Sequence, residues 1–413
     1  MGLRSPLVAL VETRALHSLT AAATTVPAAD VLRETSPAVP SLGFYVHVPF
    51  CTKRCYYCSF NTSPLDDPAA MVRYLGALGR ELELLAALPW ARSVTIASVF
   101  FGGGTPSLLS ATAMADILDL ARRRFALASD AEITVECNPE SVSRDKLAAY
   151  RAAGVNRVSL GVQSLDDRIL TRIGRLHDHH GARAAFEAAR GAGFDNVSVD
   201  LMYGLPSLDV EAWTRAVDAV LDWQPEHLSA YGLTLDAGSV WGAAGVAGLP
   251  PEDHVVAQYW ALARAAAARG FEHYEISNYA RPGFRSRHNL TYWRAAEYLA
   301  AGPGGCGFIG DVRYSNHKPL ARYCAVAEAD TLPIETFERL TPAQRAAERL
   351  ILGLRTADGV PSTALAERAA GDAALARTLA DWRDGGRLVD ERDRTRLSEA
   401  GFLVSDALFV DLL

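Results

Sequence analysis

The chain has 413 residues, of which 49% are hydrophobic and 22% charged, and it carries a formal net charge of −7. This composition is typical of a folded globular protein, and the length suits one barrel-sized domain with a smaller one. The acidic balance argues against nucleic-acid binding, and no apolar run reaches the roughly 18 residues that a membrane-spanning helix needs.

Residues 1–41 differ from the rest of the chain, since they are rich in Ala, Ser, Thr and Val and show no periodic pattern. A transit peptide would be rich in arginine and poor in acids, whereas this segment carries Glu12, Asp30 and Glu34. We therefore expect a poorly ordered extension here, and organelle targeting is the less favoured interpretation.

From residue 43 onward, short apolar runs alternate with amphipathic stretches. The runs predict strands within 43–50, 93–101, 132–137, 157–164, 196–206, 227–234 and 273–277. The stretches predict helices at 69–88, 110–125, 143–153, 166–172, 179–192, 209–221 and 252–269. Apolar strands that alternate with such helices form βα units around a parallel sheet. About six units predict an α/β partial barrel whose functional residues follow the strands.

Beyond residue 330 the pattern changes. Thr341 and Pro342 are typical of an N-cap and a first helical turn, and a second helix and a β-hairpin or wing are predicted after them. We expect residues 331–413 to form a small, mainly helical C-terminal domain, with the barrel in residues 42–330. A winged-helix shape would suit DNA binding, but acids are mixed with the arginines of this region, so that function is disfavoured.

Three cysteines lie close together with the spacing C-x3-C-x2-C, namely Cys51, Cys55 and Cys58. Three thiolates on one loop can bind three corners of a [4Fe-4S] cluster and leave the fourth iron open to a ligand. A structural zinc site is the alternative, but it needs a second pair of ligands, and the remaining cysteines are scattered. Six cysteines in all are too few for a disulfide-stapled secreted domain. We expect a reducing, cytoplasmic location, because an exposed cluster needs one.

Polar residues that follow strands form a second group of candidates. The glycine run 102–104 matches neither a P-loop nor a dinucleotide fingerprint, but glycines let a backbone approach a ligand closely. Glu136 and Gln163 end strands and offer hydrogen-bonding groups to a ribose or an ammonium. Arg175 is suited to a carboxylate, and Asp200 ends another strand. Each alone is typical of an ordinary sheet end, but together they favour a binding site.

Several motifs together resemble those of the HemN/HemW group of radical S-adenosylmethionine (SAM) proteins. They are YVHVPFC-x3-C-x-Y-C, GGGTP, ECNPE, SLGVQS, DLMYGLP and HNLTYW. The resemblance covers roughly residues 43–410. The group contains the oxygen-independent coproporphyrinogen III oxidase, a heme chaperone and a set of HemN-like class C methyltransferases.

The resemblance implies a radical-SAM partial barrel with a C-terminal accessory domain. It implies that an electron from a [4Fe-4S] cluster, held by the three cysteines, cleaves SAM to methionine and a 5′-deoxyadenosyl radical. A reductant such as flavodoxin or ferredoxin would supply that electron. By position, the residues that would contact SAM are Tyr45, Tyr57, Gly103, Gly104, Thr105, Glu136, Gln163, Arg175 and Asp200.

Within the group, the oxidase is disfavoured, because Ser59–Phe60–Asn61 stands where the oxidase carries a Gly-Cys pair. The heme chaperone is favoured, because its H-N-x-x-Y-W motif is intact at 288–293. A neutral imidazole is a good axial ligand for heme iron, so His288 is predicted to bind heme that is then passed to an acceptor protein. The alternative is that His288 makes a structural hydrogen bond while Tyr292 and Trp293 pack in the core.

Two departures keep a HemN-like methyltransferase or cyclopropanase as the alternative function. Ser59 stands where an aspartate is usual, and Cys306 stands where a histidine is usual. Such enzymes bind two SAM molecules and act on a small-molecule substrate in a biosynthetic pathway. Cys306 could equally be a weak heme ligand, a reactive thiol or a buried small side chain. Whether the chain is an enzyme stays open, and oxidation of coproporphyrinogen is disfavoured.

Overall fold

The computed structural model of the protein describes residues 26–412. The strands β1 to β17 span, in chain order, Ser41–Val48, Phe50–Cys51, Ser63–Pro64, Thr95–Gly103, Ala126–Cys137, Arg157–Gln163, Val197–Tyr203, His227–Gly232, Glu272–Glu275, Asn278–Ala280, Tyr298–Ala301, Cys306–Ile309, Val312–Asn316, Ile334–Arg339, Val360–Pro361, Leu388–Glu391 and Arg394–Leu397. The helices α1 to α15 span Pro68–Ala86, Ala111–Arg124, Arg144–Ala153, Asp167–Ile173, His179–Gly191, Val210–Asp222, Val240–Ala244, Glu252–Ala268, Arg287–Trp293, Leu320–Glu328, Pro342–Leu354, Ser362–Ala369, Ala373–Asp384, Glu399–Leu403 and Ser405–Leu412.

One sheet of twelve strands forms the main domain, in the order β14-β13-β12-β11-β1-β4-β5-β6-β7-β8-β10-β9. From β11 to β8 all neighbouring strands run parallel, and β1 and β4 to β8 lie side by side in chain order. β1 and β8 are the outer strands of this set. They pair with β11 and β10 and not with each other, so the barrel is not closed. The predicted α/β partial barrel is confirmed.

Alternation along the strands separates the packed core from the barrel interior. In β1, Phe44 and Val46 are buried in the main hydrophobic core together with Leu78 of α1. Successive side chains of a strand point to opposite faces, so Tyr45 and His47 face the other side. The barrel interior therefore receives the polar and aromatic side chains of the alternating pattern.

The helices that follow the strands begin at side-chain caps. In each, the capping side chain accepts a hydrogen bond from a backbone N–H two or three residues further on. The caps of α2 to α6 are Ser110, Ser143, Asp166, Asp178 and Asp209. Such residues satisfy backbone donors that a helix start leaves open, which explains why these helices begin soon after the carboxyl ends of the strands.

Residues 26–40 pack on the main domain, which differs from the poorly ordered extension expected over residues 1–41. A 3-10 helix at Ala28–Arg33 buries Val31 completely in the main core. The Trp90 indole donates a hydrogen bond to the Leu32 carbonyl at 2.9 Å. Two apolar side chains in so short a turn give no periodic signal in the sequence. The remainder of the extension lies outside the described residues.

Strands β11 to β14 extend the main sheet beyond the predicted βα units. β12 and β13 form a hairpin in which Cys306 pairs with Ser315, and β14 pairs with β13. Ile334–Arg339 therefore belongs to the main sheet although it lies beyond the predicted boundary at 331. Only Ile334 is buried in this strand, so the strand lacks the alternation that would have predicted it.

The C-terminal domain has a hydrophobic core of its own. Its buried side chains include Leu350, Leu354, Leu365, Leu375, Leu379 and Phe402. Helix α11 begins at the predicted cap, where Thr341 and Gln344 form a reciprocal capping box. The predicted hairpin consists of β16 and β17, with β15 as a third strand. Among residues 26–412, no helix combines the length and apolarity needed to cross a membrane.

Candidate functional site

The three cysteines of the triplet lie on a loop that leaves the carboxyl end of β1, at the mouth of the barrel. Parallel pairing of β2 with β3 closes the base of this loop, and the Leu65 N–H donates to the Cys51 carbonyl at 3.1 Å. Within the loop, the Cys58 N–H donates to the Cys55 carbonyl at 3.2 Å and forms a tight turn. All three thiols are half-buried.

Hydrogen bonds to the thiols suit sulfur ligands of a cluster. Thr105 Oγ1 donates to Cys51 Sγ at 3.5 Å, and Arg175 Nη1 donates to Cys55 Sγ at 3.7 Å. Burial raises the pKa of Cys51, and it raises the pKa of Cys58 to about 11, with neighbouring thiols adding to both shifts. Thiols in this setting stay protonated until bound iron replaces their protons.

The arrangement of the thiols also bears on the kind of metal site. Within residues 26–412, no three His, Cys, Asp or Glu side chains converge so that they could hold one metal ion. The thiolates that hold a [4Fe-4S] cluster need not converge on one metal ion, since each binds a separate iron. The three soft donors on one loop therefore fit a [4Fe-4S] cluster.

The glycine run at the end of β4 is hydrogen-bonded to the start of the cysteine loop. The Gly104 N–H donates to the Val48 carbonyl at 2.8 Å, and the Thr105 N–H donates to the Phe50 carbonyl at 2.7 Å. A β-carbon on Gly104 would lie 2.6 Å from the Phe50 oxygen, and Gly103 has a φ of +112°. Only glycine fits so close an approach and such a backbone. The run therefore fixes the position of the loop on β4.

Two carboxyl groups lie inside the barrel mouth. Glu136 of β5 accepts a hydrogen bond from the Gly103 N–H at 3.2 Å, and Asp200 of β7 accepts one from Ser159 Oγ at 3.0 Å. Burial raises the pKa of Glu136 to about 8, and the Asp200 charge adds to this shift; burial also raises the pKa of Asp200. Arg157 offsets part of both shifts, yet neither carboxyl forms an ion pair with a described residue. The pair therefore favours a cationic ligand.

Gln163 ends β6 in a conformation that few residues other than glycine adopt. Its φ is +66°, and its buried Oε1 has no hydrogen-bond partner in the described part of the chain. The backbone strain and the unsatisfied acceptor each cost about 1–3 kcal/mol, and a ligand that donates to Oε1 would satisfy the acceptor. Arg175 lies beside it, since Nη2 donates to the Gly161 carbonyl at 2.5 Å and to Asn138 Oδ1 at 2.8 Å.

Two tyrosines complete the mouth. The Tyr45 hydroxyl lies 3.0 Å from His47 Nδ1, and its ring is stacked on Phe100. Tyr57 lies within the loop close to Cys55, and the neighbouring cysteines disfavour the ionised form of its hydroxyl. Burial raises the pKa of both tyrosines well above the usual value. Both hydroxyls therefore stay neutral and available as hydrogen-bonding groups.

His288 lies deeper in the barrel than the other candidates. Helix α9 holds it fully buried, with its ring stacked on Phe100 at 5.1 Å between centroids. Its Nδ1 is 2.9 Å from Ser98 Oγ, and its Nε2 is 2.8 Å from the Tyr292 hydroxyl. Burial lowers the pKa of His288 to about 3, so the ring is neutral. Both ring nitrogens are occupied by protein partners.

Comparisons with known proteins identify the family. The model of the radical SAM superfamily matches residues 45–220, and that of the HemN C-terminal domain matches residues 340–404. A relative named heme chaperone HemW, from Mycobacterium tuberculosis, is 40% identical over 378 residues, which cover 90% of this chain and 94% of the relative. The chain belongs to the HemN/HemW-like radical SAM family.

Other members of the radical SAM family show similar coverage. Heme chaperone HemW from Bacillus subtilis is 33% identical over 376 residues, covering 88% of this chain and 97% of that protein. Radical S-adenosyl methionine domain-containing protein 1, mitochondrial, from Bos taurus is 36% identical over 411 residues, covering 94% and 91%. The solved structure of coproporphyrinogen III oxidase (HemN) from Escherichia coli has a TM-score of 0.81 at 22% identity and covers 100% of this chain and 99% of that one, so the fold is shared. Membership of the radical SAM family implies a [4Fe-4S] cluster and SAM.

In this radical SAM protein, most of the predicted site residues meet at the barrel mouth, whereas His288 lies below them. Asn138 was not among the predicted residues, yet it joins two of them. Its Nδ2 donates to Thr105 Oγ1 at 3.1 Å, and its Oδ1 accepts from Arg175. Its position directly after a strand, within the motif ECNPE, was the signal that would have identified it. His47 is buried, and its Nε2 donates a hydrogen bond to the Asn61 carbonyl at 2.9 Å.

Glu136→Gln should affect stability and SAM binding in opposite directions. The pKa of Glu136 is raised from 4.5 in the unfolded chain to about 8 in the folded protein. The stability that this group contributes is therefore fully present below pH 4.5 and is lost as the pH rises through 8. A neutral glutamine removes that loss, so the SAM-free variant should melt at a higher temperature than the wild type above about pH 8. Its affinity for SAM should fall about tenfold, because the variant lacks a carboxyl group that can ionise against a bound cation. Thermal unfolding across pH and calorimetric SAM titration measure both effects.

The matched control is Asp116→Asn, an exposed acid on α2. It should change neither the pH dependence of melting nor the affinity for SAM. If Glu136→Gln behaves like this control, the carboxyl pair is not the binding site for a cation that the geometry indicates.

Proposed function

We propose that the protein binds a [4Fe-4S] cluster and SAM at the barrel mouth, and that it binds heme for delivery to an acceptor protein. The observation that carries the heme proposal is the match to relatives named heme chaperone HemW, at 40% identity over 90% of this chain. The intact H-N-x-x-Y-W motif at 288–293 supports it. A reductant such as flavodoxin or ferredoxin is the second expected partner.

Cys51, Cys55 and Cys58 would hold the cluster. When bound, the cluster supplies single electrons to SAM at its open iron. The residues around it have a positioning role: Thr105 and Arg175 donate hydrogen bonds to the thiol sulfurs and so orient the loop. Half-burial of the loop limits access of water to the sulfurs.

The glycine run and the residues of β5 to β7 at the barrel mouth would hold SAM. The unpaired Glu136 carboxyl and the unsatisfied Gln163 Oε1 are the groups that best support this assignment. The remaining proposed contacts are Tyr45, Tyr57, Gly103, Gly104, Thr105, Arg175 and Asp200.

Heme ligation by His288 requires a local rearrangement. The imidazole is neutral, which is the form that binds iron, but Nε2 is within 2.8 Å of the Tyr292 hydroxyl. Tyr292 must therefore move away before Nε2 reaches a metal. Its ring packs edge-on against Tyr298 at 4.7 Å, so this movement repacks two aromatic side chains.

A heme titration tests the proposal. The anaerobically reconstituted protein should bind heme one-to-one, with a saturable change in the Soret band. His288→Ala should weaken binding by at least about tenfold, because an axial ligand is lost. Tyr292→Phe should strengthen binding, because Nε2 is no longer held by a hydroxyl.

His227→Ala is the matched control, since His227 is equally buried and both its nitrogens contact hydroxyls, Ser198 Oγ and Tyr274 Oη, at 2.8 Å. Equal loss of heme in both alanine variants would show that His288 acts only through packing. A protein that binds no heme but consumes SAM in step with methyl transfer is instead the class C methyltransferase.

A further inference from the structure

The surface around the cysteine loop is unusually apolar. Among residues 26–412, nine large hydrophobic side chains are clearly exposed, and five of them lie on three segments at the barrel mouth. These segments are 52–60, 172–176 and 235–249, which we call the cluster face. The five side chains are Phe60, Leu176, Leu235, Val240 and Leu249, each 39–49% exposed. Exposed apolar residues gathered in this way mark an interaction site.

The three segments contact one another, so the cluster face is continuous. Arg54 Nη2 donates to the Gly238 carbonyl at 2.9 Å, which joins the cysteine loop to the third segment. The Tyr56 N–H donates to the Ile173 carbonyl at 3.1 Å, which joins the loop to the second. The rings of Tyr56 and Trp241 also pack together, at 6.3 Å between centroids.

The charge of the cluster face is opposite to that of the whole chain. Arg175 donates inward to Cys55 Sγ and is left out of the count. The other charged residues of the three segments are three cations, Lys53, Arg54 and Arg172, and one acid, Asp236, for a net charge of +2 against −7 for the chain. Lys53 and Arg54 are exposed, and neither forms an ion pair with a described residue. A cationic, apolar face on an acidic protein attracts an acidic partner.

The geometry points to the cluster face as the docking surface for an acidic one-electron carrier protein. This inference rests on the proposed function, because only a bound cluster needs a donor at this place. In the step concerned, the carrier loses one electron and the cluster gains it, with no proton or group transferred. Redox encounters use small interfaces, which five exposed apolar side chains and two free cations suffice to form. The same loop carries the cluster cysteines, so the docked carrier lies beside the electron acceptor.

Binding of an oxidised flavodoxin, and of a plant-type ferredoxin as a second probe, to the cluster-loaded protein tests the inference without recourse to activity. Lys53→Glu should weaken carrier binding about tenfold, and the wild-type affinity should fall as ionic strength rises. Val240→Asp should weaken binding about tenfold as well, because it places an anion in the apolar centre. Val240 opens helix α7, where an aspartate is compatible with the first turn.

The matched controls are Arg123→Glu and Val72→Asp, exposed residues of α2 and α1 away from the face, and both should bind the carrier like the wild type. Iron and sulfide content shows that each variant keeps its cluster. Unchanged carrier affinity in Lys53→Glu and Val240→Asp overturns the inference, as does a wild type that binds neither probe. If these two variants keep their affinity for the carrier but lose self-association or binding of the heme-acceptor protein, the face docks that other partner and the inference is overturned. Failure of the heme titration leaves these affinities unaffected, so the two proposals fail separately.

Discussion

Cys55→Ser should abolish cluster assembly, and with it all reductive cleavage of SAM. Cys55 is one of three half-buried thiols on the loop, and Arg175 already orients its sulfur. A serine hydroxyl is a hard donor that stays protonated at neutral pH, so one iron corner is left without a ligand. Iron and sulfide content after anaerobic reconstitution should fall to the level of the unreconstituted protein, and methionine release from SAM should fall to that of the buffer blank.

Cys306→Ser is the control for this loss. Cys306 is also half-buried, but it lies on β12 and its thiol donates to the Gly304 carbonyl at 3.7 Å. The variant should retain its iron, sulfide and SAM cleavage, and both variants should unfold at similar temperatures before reconstitution. A Cys55→Ser protein with native iron content would mean that the triplet is not the ligand set.

The sequence predicted the features that depend on local pattern. Each strand from β1 to β8 that carries a long apolar run was anticipated, and the cysteine spacing indicated the cluster loop because cubane ligation constrains ligands that are neighbours in the chain. Glu136 followed from its place at a strand end. Asp200 was expected to end a strand, but it lies in the middle of β7, because the strand continues to Tyr203. The cap at Thr341 was equally local, since it depends on residues within one helical turn.

Features that depend on contacts between distant segments were beyond the sequence. The left-handed backbone of Gln163 arises where β6 and β7 shift register, and nothing in SLGVQS indicates it. Asn138 became part of the site only because Arg175, 37 residues away, reaches its amide oxygen. The burial of His288 depends on Ser98, 190 residues away. The motif that carries His288 suggested a ligand, whereas tertiary packing occupies both of its ring nitrogens.

Gly104→Ala should destabilise the protein and impair both cofactor sites. Its φ lies outside the left-handed region, so the effect is steric: the new methyl would meet the Phe50 carbonyl oxygen at 2.6 Å and the Pro49 carbonyl at 2.9 Å. Backbone atoms cannot rotate away, so β4 must separate from the cysteine loop. That breaks the Gly104–Val48 hydrogen bond and moves Thr105 from Cys51. We expect the free energy of unfolding to fall by about 2–3 kcal/mol.

Gly76→Ala separates this steric effect from the general consequence of replacing glycine. Gly76 lies within helix α1, and a β-carbon there would meet no atom within 4 Å. Alanine in a helix interior should raise the free energy of unfolding by up to about 1 kcal/mol, because glycine is the poorer helix former. The two substitutions add the same methyl group and should shift the denaturant midpoint in opposite directions. Only Gly104→Ala should lower cluster content and SAM affinity; if it keeps both, the contact between the glycine run and the loop does not position the site.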